Sequence, residues 1–151
     1  CPACCGFWAI ANNGVLLRPY IAEKILYKNK EEKITKSQEI RRVISSETAS
    51  RITAMMVSAV KNGHTQRAGV EGYSVAAKTG TAQIPDFEKG GYTEDTIHSL
   101  IGFFPAFDAR FVMLVKLDKP KGIRFAEGTA APVFGEIAKY ILNYYEIPPT
   151  K

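Results

Sequence analysis

The chain has 151 residues, 46% of them hydrophobic, enough for one domain with a real core and no internal repeat. Its formal net charge of +5 is spread over 20 basic and 15 acidic residues, which argues against a nucleic-acid-binding role. Even the densest basic cluster, residues 28–36, is broken by Glu31 and Glu32, the pattern of a solvated turn.

No stretch of about 18 apolar residues marks a membrane span. The chain opens on Cys1-Pro2-Ala3-Cys4-Cys5, with neither an initiator Met nor a signal-like segment, and is expected to be a piece of a longer protein. Cys1 and Cys4 form a C-x-x-C. A zinc site needs a second ligand pair, and His64 and His98 are isolated; a redox pair needs a preceding strand. No metal and no cofactor are expected.

Phe7, Trp8, Ile10 and Ala11 read as the last turns of an apolar helix stopped at Asn12-Asn13-Gly14. Val15-Leu16-Leu17 starts an extended segment that Pro19 places at a sheet edge or outside a sheet. Residues 21–27, a polar turn and a return from Ile34 suggest a small hairpin without clustered chemistry. Ser46 and Glu47 begin a helix whose apolar stripe is Ile52, Met55, Met56, Ala59 and Val60, with Asn62-Gly63 as its stop. Within it, Ser58-Ala59-Val60-Lys61 spells S-x-x-K, the pattern of an acyl-enzyme serine and its lysine. It lies at the tail of an ordinary amphipathic helix and is read as a decoy.

Residues 64–72 form a polar loop, and an extended run, 74–83, follows. Gly72-Tyr73-Ser74-Val75-Ala76 approaches the G-x-S-x-G elbow but lacks its last glycine and a following helix, so Ser74 is read as a strand residue. Residues 84–96 read as a loop. Residues 98–105 and 110–117 are strands, the second, with Phe111-Val112-Met113-Leu114-Val115, expected at the centre of a sheet covered on both faces. After a loop, Thr129 caps a helix carrying Pro132 in its first turn and the stripe Phe134, Ile137, Ala138, Ile141, Leu142 and Tyr145. Three sequential strands with short connections make an antiparallel meander with helices packed on it, an α+β fold rather than a doubly wound one.

The chemistry concentrates in Lys78-Thr79-Gly80-Thr81. An ammonium, two hydroxyls and a glycine that bares the backbone suit a carboxylate or a phosphate. For a phosphate loop, G-x-x-x-x-G-K-[ST], Gly72, Lys78 and Thr79 fall in register. Ala77 obstructs the second glycine position, and Gly80 and Pro85 follow where a helix should start. Lys78-Thr79-Gly80 instead matches the K-T-G box letter for letter.

Together with Ala9-Ile10-Ala11-Asn12-Asn13-Gly14, Arg18-Pro19-Tyr20, Ala76-Ala77, Thr81-Ala82-Gln83, Ile101-Gly102-Phe103-Phe104-Pro105-Ala106 and Ala130-Ala131-Pro132-Val133-Phe134, this box resembles the C-terminal half of the transpeptidase domain of class B penicillin-binding proteins. The division-type, FtsI-like branch is the nearest match. The resemblance implies that 1–151 is the C-terminal part of a single transpeptidase domain of the serine β-lactamase and penicillin-binding fold. It implies that Lys78 holds a positive potential over the site, that Thr79 and Thr81 hydrogen-bond the substrate carboxylate, and that the Thr81 N–H is an oxyanion-hole donor. Gly80 then keeps the strand surface clear; Gln83 is given no chemistry. The implied partners are peptidoglycan stem peptides ending in D-Ala-D-Ala, β-lactams and cell-wall synthesis or division proteins. The implied location is the extracytoplasmic face of the membrane, through an anchor outside this chain.

Three departures stand against the family pattern. Ala77 replaces the glycine that commonly precedes the lysine, Phe107 and Ala109 occupy a turn that is usually polar or proline-bearing, and the first five residues match poorly. The acylating S-x-x-K and the S-x-N motif belong to the half that should precede Cys1, so the chain alone is expected to be inactive. A non-catalytic penicillin-binding sensor or a degenerate binding module of the same fold is the alternative reading.

Overall fold

The computed structural model describes residues 2–150. In chain order it comprises α1 (Pro2–Ala11), β1 (Val15–Leu17), β2 (Lys24–Leu26), β3 (Glu32–Ile34), β4 (Glu39–Arg42), α2 (Ser46–Asn62), β5 (Ala76–Pro85), β6 (Tyr92–Phe104), β7 (Phe111–Asp118) and α3 (Ala130–Tyr144). The architecture is α+β, as the sequence implied. β5, β6 and β7 form the antiparallel meander, β2 and β3 the small hairpin, and β1 pairs with β4 in a second two-stranded ribbon.

Side chains alternate across a pleated strand, so each face of the meander has its own partners. On one face, Ala77 of β5, Leu100 and Phe104 of β6 and Phe134, Ala138 and Leu142 of α3 share a buried cluster. Phe104 is stacked on Phe111 at a centroid separation of 5.6 Å and meets Phe134 edge-on at 5.7 Å, the two geometries that aromatic quadrupoles favour. On the other face, Ala76, Phe103 and Val112 pack against Met56 and Val57 of α2 and Phe7 and Ile10 of α1. The sheet therefore lies between α3 and the α1/α2 pair.

One position of the meander has no room for a side chain. Ala77 stands opposite Gly102 in the β5–β6 register. A Cβ on Gly102 would come within 2.6 Å of the Ala76 carbonyl oxygen, 2.8 Å of the Ala77 Cβ and 3.0 Å of the Phe134 ring. The alanine preceding the lysine is thus accommodated by a glycine across the ladder, with both residues fully or nearly fully buried.

Several local expectations are corrected. The sheet order β5-β6-β7 puts β7 at an edge, with β6 at the centre; Leu114 of β7 is 37% exposed. The continuous apolar run of β7 misled because its outward residues are apolar without being covered. Residues 84–96 are mostly strand, leaving only a turn at 86–91, where the Asp86 carboxylate accepts from the backbone N–H groups of Glu88 and Lys89 at 3.0 Å each. Ser74 precedes β5 rather than lying in it; its N–H donates to the Thr150 hydroxyl. α2 does begin at Ser46, and the preceding Ser45 caps it, accepting from the Thr48 N–H at 3.1 Å. On α2, Met55 is exposed while Thr53 and Val57 are buried, so the stripe is rotated from the one read in the sequence. On α3, Ile137 and Tyr145 are exposed, and Phe134, Ala138 and Leu142 carry the buried face.

Candidate functional site

β5 places Lys78, Thr79, Gly80 and Thr81 in consecutive ladder positions opposite Ile101, Leu100, Ser99 and His98. β5 is paired on one side only among the described residues, so its other edge offers backbone groups to a ligand. Alternation sends Lys78 and Gly80 to the face shared with Ala76, and Thr79 and Thr81 to the α3 side shared with Ala77. The four residues can therefore meet one ligand only across the free edge of the strand. Lys78 is exposed and its Nζ donates to the Thr79 carbonyl at 2.7 Å, a self-contact that a carboxylate can replace. A Cβ on Gly80 would come within 2.8 Å of the Ser99 hydroxyl and no other atom within 4 Å, so the glycine gives room beside the partner strand.

Thr81 is held from the far side. Its Oγ1 accepts from the Ala126 N–H at 3.2 Å, within a short 3-10 turn, Ala126–Gly128, that leads into α3. Directly across the ladder from Thr81, His98 is fully buried, and its two ring nitrogens lie 3.0 Å from the Thr96 hydroxyl and 2.8 Å from the Thr129 hydroxyl. Thr129 occupies the cap position of α3 as the sequence suggested, but it makes no side-chain cap bond. Its hydroxyl goes to His98 instead, forgoing an interaction ordinarily worth about 1 kcal/mol.

Beyond Thr81 the edge opens into a groove of about 740 Å³ lined by Gln83, Asp95, Lys121, Arg124 and Phe125 among others. Asp95 receives Lys119 and Lys121 at 3.0 and 3.1 Å. Hydrogen bonds from Lys119 and then Lys121 hold its carboxyl below the ordinary carboxylate value, and they fasten the 119–125 loop to the start of β6. The sequence reading missed this ion-pair cluster and the His98 bridge for one reason. With 84–96 taken as a loop, the period-two placement of Thr96 and His98 on one face of a strand was invisible.

The remaining candidates do not join the site chemically. Ser58 and Lys61 are both exposed on α2, and the Ser58 hydroxyl accepts from Asn62 at 3.4 Å. The Ser99 hydroxyl donates to the Gly80 carbonyl at 3.5 Å and meets no base. Cys4 and Cys5 are free thiols on α1; Cys1, the other half of the C-x-x-C, lies outside the described residues. Among the described residues no group of three His, Cys, Asp or Glu side chains could hold a metal ion, and no helix is long and apolar enough to cross a membrane. The arrangement offers an ammonium, two hydroxyls and an approachable backbone at one strand edge, groups suited to an anion.

A K-T-G-T strand backed by a C-terminal helix is the pattern shared by penicillin-binding transpeptidases and serine β-lactamases. The chain belongs to the penicillin-binding protein transpeptidase domain family, whose model matches residues 7–139. Among curated relatives, it is 40% identical over 147 residues to stage V sporulation protein D of Bacillus subtilis, covering 95% of this chain and 22% of that protein. It is 34% identical to penicillin-binding protein PbpB of Mycolicibacterium smegmatis, covering 94% of this chain and 24% of the relative. Among solved structures, an ampicillin complex of penicillin-binding protein 3 from a Mycobacterium superposes with a TM-score of 0.87 at 29% identity, over 97% of this chain and 35% of the other. A peptidoglycan synthetase from Bifidobacterium adolescentis gives 0.83 at 30% identity, over 97% and 26%. These relatives bear out the class B, FtsI-like resemblance. The chain spans less than a quarter of the length of the first two.

Proposed function

We propose that this chain is the C-terminal part of a peptidoglycan D,D-transpeptidase domain and supplies the carboxylate and oxyanion wall of its active site. The observation that carries the reading is Lys78-Thr79-Gly80-Thr81 on a strand with one free edge, within a chain that the transpeptidase family matches over residues 7–139.

In this reading the terminal carboxylate of a D-Ala-D-Ala stem peptide, or the carboxylate of a β-lactam, lies along the free edge of β5. Lys78 supplies positive potential, the Thr79 and Thr81 hydroxyls donate to the carboxylate, and Gly80 leaves the backbone approachable. The Thr81 N–H stabilises the oxyanion that forms as a serine attacks the amide carbonyl. Removing one such donor costs about 10²–10³ in rate in enzymes generally. Collapse of the oxyanion breaks the C–N bond, releases the terminal D-Ala as the protonated amine and leaves the acyl group on the serine. The serine, its lysine and the S-x-N segment lie in a part of the protein that precedes Cys1. That part also holds the anchor that keeps the enzyme at the extracytoplasmic face of the membrane, among the proteins that build the wall. The amine of a neighbouring stem peptide then takes the acyl group, and the groove beyond Thr81, with Lys121, Arg124 and Phe125, gives the peptide substrates a mixed cationic and aromatic surface.

Fluorescent penicillin tests both halves of the proposal. The full-length protein should carry a covalent label, prevented by prior incubation with an unlabelled β-lactam, while residues 1–151 alone remain unlabelled. A covalent adduct on Ser58 of the isolated chain, or a full-length protein that takes no label, overturns it.

A further inference from the structure

We infer that His98 is a positioning residue for Thr81, acting through Thr129 and the 126–129 turn; the inference rests on the role proposed above for the Thr81 hydroxyl. The contacts close a ring. Thr81 stands opposite His98 in the β5–β6 register. His98, with no solvent exposure, reaches the Thr129 hydroxyl at 2.8 Å and is steadied from its other nitrogen by Thr96 at 3.0 Å. The Thr129 N–H donates to the Ala126 carbonyl at 3.2 Å, and the Ala126 N–H donates to the Thr81 hydroxyl at 3.2 Å.

The hydroxyl of a threonine is one donor and an acceptor. With the Ala126 N–H directed at its oxygen from the α3 side, the lone pairs on that side are engaged, and the proton of Thr81 is left to point outward, toward a carboxylate at the strand edge. The ring thus fixes which way Thr81 donates. Either tautomer of His98 satisfies the arrangement, because each hydroxyl can rotate to give or take the proton. The sequence context agrees with a dedicated function: Thr129 holds the cap position of α3, yet its side chain serves the imidazole instead of the helix.

The test uses the full-length protein with Thr129→Val, which removes the hydroxyl while keeping the shape, and Thr129→Ser, which restores it. Acylation rates are measured with a β-lactam bearing a free carboxylate and with its methyl ester, alongside thermal midpoints. Thr129→Val should slow acylation by the free acid about three- to tenfold, the effect of one misdirected hydrogen bond, and leave the ester rate unchanged. Thr129→Ser should recover the free-acid rate. An equal fall with both compounds, or no fall with either, overturns the inference, since a merely structural bond cannot discriminate a carboxylate from its ester. A wild-type protein that takes no β-lactam at all removes the functional reading, and this inference with it.

Discussion

At the scale of single residues, Lys78 contributes charge rather than packing. Its side chain is exposed and, among the described residues, hydrogen-bonds only to the neighbouring Thr79 carbonyl, so truncation leaves no buried hole. In the full-length protein, Lys78→Ala should lower the rate of acylation by penicillin by about tenfold or more, while the thermal midpoint stays within a degree or so. Acylation at the wild-type rate would sink the assigned role. Asp95 carries a second, independent residue-level expectation. Its carboxyl is held below the ordinary value by Lys119 and Lys121, so the ion pairs stabilise the folded state when pH is above the unfolded carboxylate value and lose that contribution as pH falls through the lower folded value. The group is half-buried beside solvent-exposed lysines and the effect small, so the readout is a difference. Urea midpoints of wild type and Asp95→Asn should differ at about pH 7 and converge at about pH 2.5. A gap that persists or widens in acid contradicts the pairing.

At the scale of elements, the β5–β6 ladder is the most exacting piece of the molecule. Gly102→Ala places a methyl 2.6 Å from the Ala76 carbonyl, a contact with backbone that no rotamer relieves. It should destabilise the full-length protein by about 1–3 kcal/mol in denaturant unfolding. Adding Ala77→Gly should not rescue it, because that removes only one of the three close contacts; full rescue would mean that the strand can shift. The same ladder shows how far the sequence could be read. Turn residues and apolar runs located the meander, α2 and α3, and the K-T-G letters pointed to the candidate site, because these signals are local. Strand order was not local: β7 has the more apolar run, yet β6 is central, a fact decided by which strand lies between the other two. The polar Thr96 and buried His98 concealed the true start of β6, since a strand whose inward residues hydrogen-bond in pairs does not look hydrophobic. The roles proposed for Thr79 and Thr81 come from the resemblance to transpeptidases, and nothing in the spacing announced that Thr129 would leave its helix to bind an imidazole.

At the scale of the whole molecule, the sheet is covered unequally. On the α3 side, Ala77, Leu100, Phe104, Phe134 and Leu142 close against one another with almost no exposure, from the beginning of β5 to its lysine. On the other side, α1 and α2 cover Ala76 and Phe103, and the face then opens toward exposed Lys78 and Leu114. α3 therefore acts as a backing plate. A ligand pressing on the free edge of β5 meets a support that is dense and barely compressible, while the space in front of the strand stays clear for the catalytic groups that the proposal places earlier in the protein. In mechanical terms, the stiffness of the strand leading up to Lys78 is set by residues packed behind it, away from its free edge. Under the proposed function, substitutions at Ala77, Gly102 or Phe134 would change the compliance of the strand edge, and with it the acylation rate, without touching the residues proposed to meet the ligand.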